Sequence, residues 1–295
     1  MEEVEKLINE GKYKDAVKLL KGQSDSPEKF YYLALAYFKS GKLREALRNI
    51  VKAVRMKSDP KFLALNAYIL YTLGYESGDD KMIEKALNVM EKALEADKKL
   101  EEDVEFLTYK ANVLYELGKF DEALKVVDKA ITIKDDLKLH KLRGDILFNL
   151  GKFDEAIKEY EKDLNNDENL YALGFTYFKM REYEKALEYL DKAISLKPDN
   201  PYYYETRAEV LLSMGKKDEA MQEIQKALEL DPDNPYLVST EVEILSHIDP
   251  DKAYKAFKEF FDVYEEFREL ICEDIAEKSL DEKVRKKIDK LCASI

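Results

Sequence analysis

The sequence predicts an all-α protein made of helix–turn–helix units stacked in a row. Three observations lead to this fold class. Apolar residues recur at the i, i+3, i+4, i+7 spacing of an amphipathic helix in short paired segments. The paired pattern repeats at intervals of roughly 34 residues. The ten glycines and seven prolines fall almost entirely at the ends of these segments or where two helices would touch.

The stretch 170–198, LYALGFTYFKMREYEKALEYLDKAISLKP, shows the pattern most clearly. Its apolar positions fall on one face of each predicted helix: Leu170, Leu173, Gly174 and Tyr177, then Tyr183, Ala186, Leu187, Leu190, Ala193 and Ile194. Gly174 is predicted to face Ala186 and Ala193, because small residues let two helix backbones approach closely.

This stretch resembles the tetratricopeptide repeat. The matching positions are Leu173, Gly174, Tyr177, Tyr183, Ala186, Ala193 and Pro198. The resemblance extends over about residues 1–267. It implies a right-handed α-solenoid of antiparallel helix pairs, in which the first helices of successive units line a concave groove that holds peptides or partner helices.

Eight units are predicted, followed by C-terminal capping helices over residues 268–295. The units lie near 1–26, 27–59, 60–103, 104–136, 137–166, 167–200, 201–234 and 235–267. Turns within the pairs are assigned to Gly11, Gly41, Gly74, Gly118, Gly151 and Gly215, with Arg181 at the equivalent place in the sixth unit. Gly144 and Gly174 are assigned to close helix contacts, and Pro27, Pro60, Pro201 and Pro235 to the starts of units.

The third unit departs from the pattern, because the next expected alanine, Ala86, comes seven residues late. Moving the turn to Gly78 would bring Tyr71 to the closest helix contact. Residues 75–81 are therefore predicted to be an inserted loop between the paired helices. A tolerated surface loop is favoured over a binding loop.

The fifth unit is shorter than the others, since the sixth begins four residues early. Its second helix should be shortened near Asn165 and Asn166. Asp163 replaces a packing alanine there, and we expect a local change of solenoid curvature.

Beyond the eighth unit, Asp249 and Pro250 replace the glycine turn as a helix cap and first helical residue. Apolar residues from Ala253 to Ile271 then alternate in steps of four and three, which predicts one long helix from Pro250 to about Lys278. Ser279 and Glu282 match a capping box for a last helix carrying Leu280, Val284, Ile288 and Leu291. These helices should cover the exposed end of the solenoid.

The net charge of −13 argues against nucleic acid and anionic membranes as partners. The N-terminus is acidic and no run approaches about 18 apolar residues, so a soluble cytoplasmic protein is expected. The two cysteines, Cys272 and Cys292, are expected to be reduced structural thiols. The dominance of Lys and Glu suggests a thermophilic source as a hypothesis.

The sequence offers little for catalysis. Its glycines are too far apart for a phosphate-binding loop, and we find no dinucleotide, nucleophile-elbow or zinc motif. His140 and His247 lie on separate predicted helices without a second ligand at metal spacing, which favours structural roles. A non-enzymatic protein without cofactor or metal is predicted.

The resemblance assigns residues of the first helices to the groove. They are Tyr31, Phe38, Tyr68, Tyr71, Asn112, Tyr115, Lys141, Phe148, Tyr171, Phe175, Phe178 and Lys179, with Glu205, Glu209, Ser239 and Glu243 at an acidic C-terminal end. Aromatic side chains give a large contact area at small entropic loss. The aromatics at the twelfth place of each unit, such as Phe38 and Tyr115, can equally serve to bridge neighbouring helices. Tyr68, Tyr171 and Phe175 are less expected for packing.

The prediction is therefore an adaptor that binds a peptide or helix of another protein. Because the lysine and asparagine spacing of the family's carboxylate clamp is absent, an apolar or basic segment fits better than a C-terminal carboxylate. The alternative is a constitutive structural subunit, or a solenoid that self-associates through its C-terminal helices with the apolar stripe from Ala253 to Ile271 as the seam.

Overall fold

The computed structural model describes residues 1–294, which contain 18 α-helices and no β-strand. The chain divides into two compact bodies, residues 1–152 and the residues from 153 onward. In each body, helices that follow one another in the chain pack against one another. This is the expected all-α repeat of helix pairs.

The first body contains nine α-helices and one 3₁₀ helix at Lys98–Glu102. Their bounds are α1 Glu2–Asn9, α2 Tyr13–Lys21, α3 Pro27–Lys39, α4 Leu43–Met56, α5 Pro60–Ser77, α6 Asp80–Ala96, α7 Val104–Glu116, α8 Phe120–Ile133 and α9 Leu137–Asn149. The odd-numbered helices from α1 to α9 also contact one another in sequence. We call the side that they form the first-helix face of this body.

The second body contains the remaining nine α-helices and a 3₁₀ helix at Glu265–Phe267. Their bounds are α10 Phe153–Tyr160, α11 Asp167–Lys179, α12 Tyr183–Leu196, α13 Pro201–Ser213, α14 Lys217–Leu230, α15 Pro235–Ser246, α16 Pro250–Val263, α17 Arg268–Glu277 and α18 Glu282–Cys292. Here α11, α13 and α15 contact one another and form the first-helix face.

Side-chain caps and prolines fix where the first helices begin. The Ser26 side chain accepts a hydrogen bond from the backbone nitrogen of Lys29 at 3.1 Å, and Pro27 follows as the first helical residue. The same arrangement recurs at Asp59 and Pro60. It is also found at Asp249 and Pro250, as predicted for the start of α16. A cap of this kind contributes about 1 kcal/mol, because it satisfies a helix N–H that has no partner within the helix.

Left-handed residues connect the two helices of most pairs. Gly41 has φ +74°, and the next nitrogen, that of Lys42, returns to the Tyr37 carbonyl at 2.8 Å. Glycine suits this turn because it has no β-carbon and so adopts positive φ without a steric clash. Positive φ is also found at the predicted turns Gly11, Gly118, Gly151 and Gly215. Arg181 occupies the equivalent position at φ +63° without that advantage.

Small residues set the spacing between paired helices. Ala46, Ala123, Ala186 and Ala220 in the second helices are all fully buried. A β-carbon on Gly174 would lie 2.8 Å from Leu190 Cγ and 3.2 Å from the Ala186 carbonyl oxygen, so the predicted close contact with Ala186 is confirmed.

The third pair contradicts the predicted loop insertion at residues 75–81. Helix α5 continues to Ser77, and Gly78, at φ +65°, makes the turn before α6. Gly74 lies inside α5, where a β-carbon would stand 2.8 Å from Ile83 Cγ1. The Tyr71 ring packs towards α7, 6.1 Å from the ring of Tyr109, so it does not occupy the closest contact between α5 and α6. The seven extra residues lengthen the helix pair instead of forming a loop.

The shortened second helix of the fifth unit is confirmed. Helix α10 ends at Tyr160, and Asn166 then caps α11 by accepting from the Asn169 nitrogen at 2.9 Å. The change of curvature at this point stays a prediction.

The prediction of one long helix from Pro250 to about Lys278 is wrong. Helix α16 ends at Val263, Tyr264 leaves the helical region at φ −107° and ψ 79°, and α17 begins at Arg268. The Arg268 Nε donates to the Phe261 carbonyl at 2.8 Å and ties the two helices together across the break.

The break lets α17 pack on α15, while α18 packs on α16. Phe257, Phe260, Ile271 and Ile275 are buried together in one apolar cluster. The apolar stripe that was the candidate seam for self-association is therefore used inside the chain.

The last helix also differs from its predicted start. Asp281, instead of Ser279, caps α18 by accepting from the Lys283 nitrogen at 2.9 Å. Val284 and Ile288 are buried as expected.

Cys272 and Cys292 form a disulfide, with an Sγ–Sγ distance of 2.04 Å, which overturns the expectation of reduced thiols. The bridge is possible because α17 turns back and lies beside α18, with the two cysteine Cα atoms 5.8 Å apart.

Candidate functional site

A cavity of about 210 Å³ opens on the first-helix face of the first body. Helices α3 and α5 and residues 97–105 form its walls. It brings together three of the predicted groove residues, Tyr31, Phe38 and Tyr68. We call this feature the α3–α5 cavity.

Tyr31 and Tyr68 form the aromatic floor of the α3–α5 cavity, and each stacks on a second ring outside the lining. Tyr31 stacks on Phe62 with 4.9 Å between ring centroids, and Tyr68 stacks on Tyr109 at 4.0 Å. Residues Tyr31 and Tyr68 are only 6% and 8% exposed. Burial raises the pKa of both hydroxyls, so they stay protonated and can donate a hydrogen bond.

The rim of the cavity carries charges of both signs. Lys39 Nζ on α3 lies 3.5 Å from Glu105 Oε1 on α7, so this ion pair reaches across α5. Both side chains are about half exposed, and an ion pair of this kind contributes about 1 kcal/mol or less. Lys61 Nζ lies 5.0 Å from the centroid of the Tyr31 ring. An apolar floor with a weakly paired charged rim suits an apolar side chain that has a charged neighbour.

The remaining predicted residues of the first body have local partners. Tyr71 faces Tyr75 and Tyr109, at 6.1 Å from each ring. Asn112 Nδ2 donates to the Thr108 carbonyl at 2.9 Å.

Tyr115 lies 5.6 Å from the Phe120 ring and accepts from Asn149 Nδ2 at 3.1 Å, so it bridges α7, α8 and α9. Lys141 Nζ bonds to Asp145 at 2.9 Å within α9. Phe148 is half-buried on the same helix.

The second body brings the other four predicted residues into one cluster on α11. The Phe175 ring lies 6.1 Å from Tyr171 and 6.4 Å from Phe178. Lys179 Nζ lies 4.8 Å from the centroid of the Phe175 ring. Tyr171 also stacks on Tyr203 of α13 at 5.0 Å.

The acidic end predicted for the groove is covered by the chain's own C-terminal segment. Lys278 Nζ lies 2.8 Å from Glu209 Oε1, and the Ser279 nitrogen donates to Glu243 Oε1 at 2.8 Å. Ser239 donates to the carboxylate of Asp274.

Glu205 and Lys278 both have perturbed pKa values. Desolvation, followed by the nearby charge of Glu209, raises the pKa of Glu205 to about 7, against the opposing influence of Lys278 and Thr240. Burial lowers the pKa of Lys278, but Glu209, Asp274 and Glu205 outweigh it and the net shift is upward. Lys278 therefore stays charged, while Glu205 changes charge near neutral pH.

Within residues 1–294, no group of three or more His, Cys, Asp or Glu side chains is placed to hold a metal ion. None of the helices described there is both long and apolar enough to cross a membrane. His140 Nε2 lies 2.5 Å from Asp135 Oδ1.

The sequence reasoning missed the segment 97–105 as a cavity wall and Lys278 as an occupant of the acidic face. The seven residues between α6 and α7 are a usable signal for the wall, since the links after α4 and α8 have three. The position of Lys278 depends on the break at Tyr264, for which we find no local signal.

Comparison with known proteins agrees with this repeat architecture. The sequence model of the tetratricopeptide repeat matches residues 28–231, which is more than half of the chain. The sequence has no significant match among curated protein sequences.

Solved structures with a similar fold include a tetratricopeptide repeat protein from Parabacteroides merdae. It is 20% identical, with a TM-score of 0.64 over 90% of this chain and 98% of that one. The APC/C hetero-tetramer Cut9–Hcn1 gives 16% identity and a TM-score of 0.63 over 82% of this chain and 48% of that one. The structure of Pseudomonas aeruginosa pilF is 20% identical in sequence, with a TM-score of 0.53 over 70% of this chain and 92% of that one. At these identities the likeness establishes the fold, an all-α helical repeat solenoid as predicted.

Proposed function

Because the chain belongs to the tetratricopeptide repeat family, we propose that it is a non-enzymatic scaffold that binds a peptide or helix of a partner protein on its first-helix faces. The family fold is generally one of protein interaction, and this coarser role follows from membership. The finer assignment, to a particular surface and a class of segment, rests on the geometry of the α3–α5 cavity.

One observation supports the proposal most strongly: the α3–α5 cavity combines an aromatic floor with a charged rim. Binding hot spots gather where a large side chain fills a desolvated pocket surrounded by polar groups. Phe38 lines this cavity and is half-buried, so it is available to a ligand in a way that the buried Tyr31 and Tyr68 are not. The expected ligand segment places an aliphatic or aromatic side chain on the floor.

The charged rim of the cavity determines which residues are favoured next to that apolar side chain in the ligand. Lys39 and Glu105 already pair with each other at 3.5 Å, and both are exposed enough to exchange this partner for a charged group of the ligand. A segment that carries a charged residue next to its apolar anchor is therefore favoured. The α11 cluster around Tyr171 and Phe175 is proposed as a second contact surface with the same preference for apolar side chains.

The cytoplasmic location and the thermophilic source remain part of this proposal. A disulfide such as Cys272–Cys292 is unusual in the cytoplasm of mesophiles but common in intracellular proteins of hyperthermophiles. The disulfide and the many Lys and Glu residues are compatible with one such source.

Site-specific photocrosslinking tests the proposal. A benzophenone amino acid is introduced in place of Phe38, and in a control in place of Ile133, an exposed side chain at the end of α8, which is outside the first-helix face. Crosslinking is done in extract of the native source, and the attached peptides are identified by mass spectrometry. The proposal expects one partner segment with an apolar anchor to be crosslinked at Phe38 and not at Ile133. Identical products at both positions, or none at Phe38, would overturn it.

A further inference from the structure

The first-helix face of the second body holds a lysine side chain of the chain itself. Lys278 Nζ donates to Glu209 Oε1 on α13 at 2.8 Å and to Thr240 Oγ1 on α15 at 3.0 Å. The Lys278 side chain is only 14% exposed, so its ammonium group has left most of its water. A desolvated ammonium group persists only when acceptors replace that water. The two helices therefore form a receptor for this group.

The surroundings of the receptor are acidic. Glu205 Oε1 accepts from Thr240 Oγ1 at 3.0 Å and lies close enough to both Glu209 and Lys278 to interact with their charges. The Glu243 carboxylate also interacts electrostatically with Lys278. Without a cation here, these carboxylates would repel one another in a partly buried place, so the face favours a positively charged occupant.

The receptor suits lysine better than arginine. An ammonium group is a compact point donor with three hydrogens, and it can serve a carboxylate and a hydroxyl that lie in different directions. The acceptors Glu209 and Thr240 belong to different helices and do not form the planar pair that a guanidinium fork prefers.

The occupant does not belong to a helix. Lys278 and Ser279 lie in the connection between α17, which ends at Glu277, and α18, which begins at Glu282. The apolar anchors of this region, Ile271 and Ile275, are buried elsewhere in the cluster with Phe257. Leaving the face would break the hydrogen bonds from Arg285 on α18 to the Lys278 carbonyl and from the Asp281 nitrogen to Ser246 Oγ, but it would not expose those anchors.

We propose that Glu205, Glu209, Thr240 and Glu243 form a binding site for a lysine-bearing segment of a partner protein, and that residues 278 and 279 occupy this site until such a segment displaces them. This rests on the proposed function in so far as the partner binds a first-helix face. The ring of Tyr171, whose hydroxyl lies 3.2 Å from Thr206 Oγ1 on α13, places the α11 aromatic cluster beside this site. A partner lysine with an aromatic or aliphatic neighbour matches both features.

A resident occupant competes as an intramolecular ligand. Because the short connection between α17 and α18 holds Lys278 beside the site, its effective concentration is on the order of millimolar or above, so an added segment binds weakly until the resident lysine is removed. The test uses a fluorescein-labelled peptide with the sequence of residues 274–281 and reads its fluorescence polarisation with the full-length protein. The peptide is added to wild type and to the Lys278→Ala variant.

We expect the Lys278→Ala variant to bind this peptide at least about tenfold more tightly than wild type does. The gain should disappear in the double variant Lys278→Ala/Glu209→Gln and with a peptide whose lysine is replaced by alanine. The Lys286→Ala variant, which removes a lysine that pairs with Glu282 on α18, should behave as wild type. Equal affinity of wild type and Lys278→Ala for the peptide would overturn displacement by a partner segment.

A second measurement tests the receptor without a peptide. n-Butylammonium, which mimics a lysine side chain, should raise the melting temperature of Lys278→Ala more than that of wild type. Tetramethylammonium, which has no N–H to donate, serves as the control for ionic strength. Equal effects of the two cations on Lys278→Ala would overturn the lysine site itself. Crosslinking at Phe38 tests the proposed function on the first body. A negative result at the Lys278 site would therefore not count against the proposed function.

Discussion

Gly74 and Ile83 approach so closely that a β-carbon on the glycine would lie 2.8 Å from the isoleucine Cγ1 and 3.1 Å from its backbone nitrogen. The contact joins α5 to α6 just before their turn. It explains why a helix pair that is longer than its neighbours still closes tightly.

Gly74→Ala should destabilise the protein by about 1–3 kcal/mol, because the added methyl group meets backbone as well as side-chain atoms. The gain in helix propensity of about 1 kcal/mol offsets only part of this. Urea unfolding followed by circular dichroism measures the change. If residues 75–81 were a surface loop following a turn at Gly74, Ile83 would not contact this position, and a destabilisation of that origin would not be seen.

Arg181→Gly should stabilise the protein by about 0.5–1 kcal/mol. The arginine holds φ +63°, a conformation that costs a residue with a β-carbon about 1–2 kcal/mol, and glycine loses part of that gain through its greater freedom in the unfolded chain. The reverse change at an equivalent turn, Gly215→Ala, should be destabilising. Melting temperatures of both variants provide the check, and a loss of stability in Arg181→Gly contradicts the backbone argument.

Glu205 should make the stability of the second body depend on pH near neutrality. Its pKa is raised to about 7 in the folded protein, so folding is favoured most when the group is protonated in both states, below about pH 4.5. This contribution is lost as the pH rises through about 7. Burial is the main cause of the raised pKa, and the charge of Glu209 on α13 adds to it. Lys278 and the Thr240 hydroxyl on α15 oppose the shift, while Asp274 on α17 increases it slightly.

Glu205→Gln should therefore match wild type near pH 4.5 and exceed its stability at pH 8 by up to roughly 3–4 kcal/mol. The difference in melting temperature between variant and wild type is measured across this range. Glu229→Gln, at an exposed glutamate on α14, is the matched control and should give a flat difference. A flat difference for Glu205→Gln as well would show that burial does not perturb Glu205.

Reduction of the Cys272–Cys292 bridge should lower the stability of the second body by roughly 3 kcal/mol, because the bridge closes a loop across 20 positions of sequence. Calorimetric scans with and without a reducing agent measure this. The double variant Cys272→Ala/Cys292→Ala should melt at the same temperature under both conditions. An equal response of the variant and the wild type would assign the effect to something other than the bridge.

Substitutions of Tyr68 and Phe38, which both line the cavity, should have different effects: the first mainly on stability and the second mainly on partner binding. Tyr68→Ala removes a buried ring that stacks at 4.0 Å on Tyr109, so a loss of about 3–5 kcal/mol is expected. Phe38→Ala changes a half-buried side chain and should cost clearly less while it weakens partner binding by about tenfold or more. Urea unfolding together with titration of the crosslinked partner segment would distinguish them. A Phe38→Ala variant with normal affinity contradicts the assignment of the cavity.

Local chemistry made much of the fold predictable. The close approach of Gly174 to Ala186, the turn at Gly41 and the helix start at Pro27 each follow from what those residue types allow over a few neighbouring positions. The candidate aromatics of the first helices could be named for the same reason. Whether they cluster depends on packing between units, and Tyr31, Phe38 and Tyr68 meet whereas Asn112 stays within its own helix.

The errors arose where periodicity is preserved while the backbone changes. Gly74 and Gly78 are one helical turn apart, so either can complete the pattern, and only the contact with Ile83 selects the second. The apolar residues keep their spacing of three and four positions on both sides of Tyr264, so this pattern does not reveal the break in the helix. The disulfide and the seating of Lys278 both depend on that break, which is why neither could be predicted.

The 3₁₀ helix at Lys98–Glu102 makes one connection of the first body different from those after α4 and α8. The connections after α4 and α8 span residues 57–59 and 134–136, whereas the one after α6 spans 97–103 and supplies Leu100 to the cavity wall. On a surface built from repeated helix pairs, a bound segment could shift by one unit. A wall that occurs beside α5 and has no equivalent after α4 or α8 removes this translational ambiguity, so it fixes the phase in which an extended ligand lies along the protein.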